Sequence, residues 1–193
     1  MKEKLNLRNA IIWTCALMAL LVFLFSFGVG AKLVGTIEGD YINVTMSHAI
    51  WGCRSMGGTA DGHFVGEINK KAVVSVPALI GVILLLLASG GLVAITFLVK
   101  EEKTKKILIF VAAGVILVGS ILLFFASEAV WSFLIEYMHE EGMDVTREQI
   151  KSAYSGTKAY SPGGIFLGIL GIFASGGVIA SQFIKDIQFI KSK

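Results

Sequence analysis

Three histidines, His48, His63 and His139, are the side chains of this sequence best suited to hold a metal or exchange a proton near neutral pH. Met46, Cys53, Met56 and Asp61 lie close to the first two. The segment 46–63 therefore carries thioether, thiol, imidazole and carboxylate donors of the kind that take copper or zinc. Their spacing matches no established zinc signature, so they read as loop residues rather than ligands. Glu136-Tyr137-Met138-His139 has the Glu-x-x-His spacing of carboxylate-bridged di-iron helices. Such a centre needs the motif on two helices, and here it occurs once. Cys15 and Cys53 form no Cys-x-x-Cys pair, and they are expected at opposite depths, beyond the reach of a disulfide. No phosphate-binding glycine loop, dinucleotide fingerprint or Ser/His nucleophile constellation is present. The expectation is a non-enzymatic protein with no catalytic residue, no metal and no cofactor.

The elements that must position these residues follow from composition. Of 193 residues, 55% are hydrophobic and 16% charged, and Gly outnumbers Pro 22 to 2. Mean hydropathy is +0.76. A soluble domain carries about 25% charged residues. So apolar a chain of this size cannot bury its apolar surface alone, which leaves an integral membrane protein. A hydrocarbon core about 30 Å thick needs about 20 apolar residues of helix. Four uncharged stretches qualify: residues 9–31, 72–99, 107–127 and 159–184, the last with its helix starting at Pro162. Proline in a first helical turn loses no bond that would otherwise form. A barrel would show alternating ten-residue segments instead. The expected fold is an all-α membrane protein: a four-helix transmembrane bundle as one polytopic domain, with spans at about 9–31, 72–99, 107–127 and 162–184. The first span resembles a signal peptide in its basic start and its Val29-Gly30-Ala31 exit. Its apolar run is about twice the usual length, so it reads as a retained helix.

Orientation comes from the flanks. Lys2, Lys4, Arg8, Lys100, Lys103, Lys105, Lys106, Lys185, Lys191 and Lys193 give the termini and the middle loop ten basic residues against four acidic ones. The loops 32–71 and 128–161 carry seven basic and ten acidic residues. Both termini are expected in the cytoplasm and both longer loops outside, in a plasma or cytoplasmic membrane. Tyr41, Tyr137, Tyr154, Tyr160 and Trp131 gather on the external side as an interfacial belt, while Trp13 stands alone near the inner face. The basic inner flanks suit anionic lipid headgroups better than nucleic acid. Buried charge is the usual mark of transport or proton relay, and the four spans hold none.

Small residues supply helix contact in a membrane, because lipid tails give helices no hydrophobic reason to associate. Gly164, Gly168, Gly171 and Ser175 fall on one face of the fourth span. Ala88-Ser89-Gly90-Gly91 recurs as Ala174-Ser175-Gly176-Gly177, and residues 88–100 and 174–186 share six identities. A duplicated two-helix hairpin and convergent packing both account for this. The glycine face serves either packing within one bundle or docking of a partner.

In the first external loop, Tyr41 to Thr45 alternates as a strand, and Ser47 to Cys53 is expected to pair with it. Gly57, Gly58, Gly62 and Gly66 mark a turn region beyond. A small β-sheet is expected there. In the second, helix three is expected to continue past Trp131 towards Gly142, and Thr146-Arg147-Glu148-Gln149 fits a capping box opening a short helix. Asn43-Val44-Thr45 is a glycosylation tripeptide.

The loop fragment Trp51-Gly52-Cys53-Arg54 and the topology resemble the claudin and peripheral-myelin-protein group of tetraspan proteins. That group carries a Trp-Gly-Leu-Trp signature followed by two separated cysteines, in a larger first loop that forms a sheet. This sequence lacks the Gly-Leu-Trp order and a second loop cysteine, which puts the group's sheet-stapling disulfide in question here. The resemblance implies adhesion, barrier formation or an auxiliary role beside a larger membrane protein, with Trp51 anchoring the sheet. The function expected is therefore a structural or accessory subunit, or an adhesion-type protein. It would act through its external loops and glycine-rich faces, on membrane lipids, other membrane proteins or copies of itself. The competing expectation is an oligomeric channel or small transporter.

Overall fold

The computed structural model describes residues 7–37, 39–60 and 63–184. Four helical runs are long and apolar enough to cross a membrane. Helix α1 spans Leu7–Phe25 and tightens into a 3₁₀ turn over Ser26–Gly28. Strands β1 (Ala31–Ile37), β2 (Asp40–Met46), β3 (Cys53–Ala60) and β4 (His63–Val73) follow, then α2 (Val76–Leu98). Helix α3 (Glu102–Leu122) passes through a 3₁₀ stretch, Leu123–Ser127, into α4 (Glu128–Glu140). That run of 39 residues continues past Trp131 as expected and is about 60 Å long at about 1.5 Å per residue, twice the thickness of a hydrocarbon core. Helix α5 (Arg147–Ala153), strand β5 (Thr157–Tyr160) and α6 (Pro162–Ser181) complete the chain.

Two compact units are defined by contact density. One comprises residues 1–24, 81–121 and 168–193, and the other residues 25–80 and 122–167. The first is helical, built from α1 and from most of α2, α3 and α6. The second holds an antiparallel sheet of order β4-β3-β2-β1-β5. Strand β2 shows why that sheet has two unlike faces. Ile42, Val44 and Met46 are increasingly buried while Tyr41, Asn43 and Thr45 are exposed, the period of two that a half-covered strand requires. The covered face packs on α4, where Ala129, Val130, Trp131, Phe133 and Leu134 join Leu33, Met46 and Met56 in one core. Removing a side chain such as fully buried Phe133 from water stabilises by about 1.5–3 kcal/mol.

Helix α5 begins with the capping box anticipated from its sequence. The Gln149 amide N–H donates to Thr146 Oγ1 at 3.3 Å, and the Thr146 N–H donates to Gln149 Oε1 at 2.7 Å. The two orphan donors of the first turn are thereby satisfied. The adjacent Arg147 guanidinium pairs with the Glu128 carboxylate at the start of α4.

Several boundaries differ from the sequence reading. The first apolar run was expected to stay helical to Ala31. It leaves the helix at Phe25 because Ala31 and Leu33 face the sheet core as strand residues. Residues 72–73 end β4 rather than open a helix, and Ser75 donates from its N–H to Ala49 O at 3.0 Å just before α2 starts. Ser47 to Cys53 does not pair with β2. Residues 47–52 form the turn, and pairing resumes only in β3, with Met46 opposite Met56. Gly57, Gly58 and Gly66 lie within strands, not in a turn. At Gly58 an added Cβ would lie 2.6 Å from Val44 Cα, so glycine there serves close strand approach. Gly62 lies outside the described residues. The sheet is also not confined to the first loop, since β5 comes from the second.

Candidate functional site

Within the sheet-bearing unit, the chain segments that leave and re-enter helices are tied by short polar bonds. His48 adopts φ 54°, and its carbonyl accepts from the N–H groups of Trp51 (3.1 Å) and Gly52 (3.0 Å), closing the turn after β2. Gly52 sits at φ 120°, a conformation that side-chain-bearing residues rarely adopt. This turn presents Trp51. Its indole N–H donates to Ser26 Oγ at 2.8 Å, and its ring stacks on Phe27 with centroids 4.5 Å apart and planes 7° from parallel. His48 Nδ1 lies 2.7 Å from the carbonyl oxygen of Phe27. The Ala49 N–H donates to Val29 O at 2.8 Å.

Three serines extend the junction. Ser26, Ser75 and Ser161 are all essentially buried. Ser75 Oγ donates to Phe125 O at 2.6 Å, and Ser161 Oγ donates to Gly30 O at 2.6 Å. A buried unpaired carbonyl is costly where the chain leaves or bends a helix, so the Ser75 and Ser161 hydroxyls meet a need set by the chain's change of direction, while Ser26 Oγ satisfies the Trp51 N–H. The sequence reading singled out Trp51 and Gly52 but passed over these serines. The signal they left was positional, since each stands beside the end of an apolar run. The side chains of Cys53 and Arg54 lie outside the described residues, and so does that of His63.

In the helical unit the predicted small residues take definite places. Ser175 Oγ donates to Ala113 O at 2.8 Å. A Cβ added at Gly171 would collide with the Ser120 side chain, and one at Gly177 would lie 2.5 Å from Cys15 Sγ. Gly119 of α3 approaches Gly81 O of α2, its added Cβ standing 2.8 Å away. In the sheet-bearing unit, a Cβ at Gly164 would stand 2.7 Å from Leu123 O and 2.9 Å from the Ala126 Cβ. What lies against the Gly164, Gly171 and Ser175 positions is thus the α3 run of the same chain; Gly168 is buried with them. Ala88 and Ser89 are buried, whereas Gly90 and Gly91 have open space where a side chain would be. The repeated segment behaves alike at its first three positions: Ala174 and Ser175 are buried, and Gly176 faces open space. The Trp13 indole N–H donates to Thr96 Oγ1 at 3.0 Å, and its ring stacks on Phe97 with centroids 5.5 Å apart.

Of the donors considered for metal chemistry, Asp61 and the side chains of Cys53 and His63 lie outside the described residues. Among the described residues no three His, Cys, Asp or Glu side chains converge as a metal site. His139 Nε2 sits 3.2 Å from Val145 O and 3.9 Å from Asp144 Oδ1, closing the loop after α4. Cys15 is a buried free thiol in α1. No protein-family model matches this chain, and no curated protein matches it.

Proposed function

We propose that this chain is a non-enzymatic membrane protein that works as an accessory subunit or adhesion-type protein, in the manner of the claudin-like group, through its five-stranded sheet. The observation that carries this reading is the division of labour between its two kinds of face. Gly164, Gly171 and Ser175 of α6 meet the α3 run of the same chain. The sheet covers one face with α4 and leaves Tyr41, Asn43 and Thr45 of β2 exposed on the other. A partner therefore finds polar, β-structured surface on the sheet, where hydrogen-bonding side chains at fixed two-residue spacing suit recognition. The excess of lysine in the middle loop and termini supports a cytoplasmic location for both termini in a plasma or cytoplasmic membrane, with the sheet outside. Uncharged spans support contact with lipid, not a charged conduction path.

The test is solubilisation at native expression level in mild detergent after brief cross-linking. The expected result is a complex larger than the 20.7 kDa chain, holding a second copy or another membrane protein. Replacing both Asn43 and Thr45 by Arg is expected to dissolve that complex while leaving the fold intact. A wild-type chain that runs alone, with nothing cross-linked to it, overturns the proposal.

A further inference from the structure

The sheet-bearing unit also contains a cavity of about 530 Å³, bounded by α4, α5 and β5. That volume falls within the range of small-ligand sites, about 300–1,000 Å³. Trp131, only 9% exposed, forms one wall. Lys151 Nζ stands 5.7 Å from the Trp131 ring centroid, within cation–π range. Lys158, Tyr154, Thr157 and Tyr160 also line it, and no acidic side chain does. The acidic side chains of the second loop, Glu136, Glu140, Glu141, Asp144 and Glu148 among them, all lie outside the lining, as does Arg147. Two lysines thus line this cavity among aromatic rings and hydroxyls. Strongly hydrated lysine ammoniums act on phosphate as point charges.

The depth of the cavity names the source of that phosphate. Tyr160 precedes Pro162, the first residue of α6, by two positions. The 20 residues of α6 make about 30 Å of helix, the thickness of a hydrocarbon core. At about 3.3 Å per strand residue, Tyr160 lies at most about 7 Å from its end, a distance that a headgroup layer spans. Lys158 lies two residues further out, with a stem long enough to reach back. We propose that this cavity binds the phosphate-bearing headgroup of an anionic phospholipid, with Lys151 and Lys158 on the phosphate and Trp131 and Tyr160 against the glycerol region.

Native mass spectrometry of the detergent-purified full chain tests this, with phosphatidylglycerol or phosphatidylcholine added. The wild type is expected to retain phosphatidylglycerol about tenfold more tightly than a Lys151→Gln, Lys158→Gln variant, and both are expected to hold phosphatidylcholine equally. Lysines 100, 103, 105 and 106 attract anionic lipid in both proteins, so the difference alone reads the cavity. Lys151→Arg with Lys158→Arg is expected to keep the binding, and Lys158→Gln alone gives the same reading if the double variant loses its fold. Equal retention of phosphatidylglycerol by wild type and Gln variants overturns the proposal. Displacement of the lipid by an equal amount of glycerol phosphate also overturns it, by assigning the cavity to a soluble phosphate.

Discussion

The Trp51 indole donates to the Ser26 hydroxyl at 2.8 Å, joining the turn between β2 and β3 to the turn that ends α1. The same ring stacks on Phe27, one residue along. Hydrogen bond and stack can be separated by substitution. Trp51→Phe keeps an aromatic face and loses the N–H donor, and is expected to cost about 1 kcal/mol. Trp51→Ala loses both and is expected to cost about 3 kcal/mol. Thermal unfolding in detergent, followed by loss of the monodisperse peak, reads the order wild type, Phe, Ala. Equal midpoints for wild type and Ala would show that the junction does not depend on Trp51.

The repeat offers a paired experiment, because its glycines are not equivalent. An added side chain at Gly171 meets Ser120, while at Gly176 it meets open space. Gly171→Leu is expected to force α6 away from α3 and to destabilise by about 1–3 kcal/mol or more. Gly176→Leu is expected to leave the midpoint within about 0.5 kcal/mol of wild type. Similar losses from both would mean that α6 is limited by glycine content and not by its contact with α3.

Strand β5 joins the two long loops through a pair of glycines. Gly35 has φ 153°, and its added Cβ would meet Gly156 O and stand 2.6 Å from Thr157 Cα; an added Cβ at Gly156 would meet Thr36 O. The bare backbones permit the Thr36 N–H to donate to Gly156 O at 3.1 Å. Gly35→Ala is expected to detach β5 and leave β1 paired with β2, because the strain falls on one edge only. Hydrogen exchange of residues 157–160 is expected to accelerate about tenfold or more, with residues 40–46 unchanged. Uniform protection across both segments would show that β5 tolerates the side chain.

Legibility of the sequence followed the range of the forces involved. The absence of charge over each apolar run made the four helices plain, and the Thr146–Gln149 spacing announced its cap, because both signals are local. Tyr41 to Thr45 showed its alternation for the same reason. Strand β5 did not show itself: four residues are too few for a period, and its partner Gly35 lies in the other loop. Ala31 reads as the tail of a span because the start of a half-buried strand and the end of a membrane helix draw on the same apolar residues. The glycines of β3 were taken for a turn because glycine marks backbone approach as well as reversal, and only the neighbouring strand distinguishes the two. Trp51 stands out by its type, whereas Ser75 and Ser161 matter through the carbonyls they meet and Ser26 through the indole N–H it accepts. Nothing along the chain announces those.

Tyr154 gives the sheet-bearing unit an alkaline limit. Burial pushes its phenol above the ordinary value of 10.0, and the neighbouring Tyr137 phenolate adds to the shift by repelling a second negative charge. A group that holds its proton more tightly folded than unfolded leaves stability unaffected below the unfolded value. Above that value the unfolded chain releases the proton first, so stability falls as pH rises through the interval up to the folded value. Loss of stability above about pH 10 is therefore expected in the wild type. Tyr154→Phe removes the ionisable oxygen, and it is expected to flatten that part of the profile without altering it near pH 7. Unfolding midpoints measured from pH 8 upward in both proteins provide the comparison. An equal alkaline slope in Tyr154→Phe would place the titrating group elsewhere and remove Tyr154 from the account.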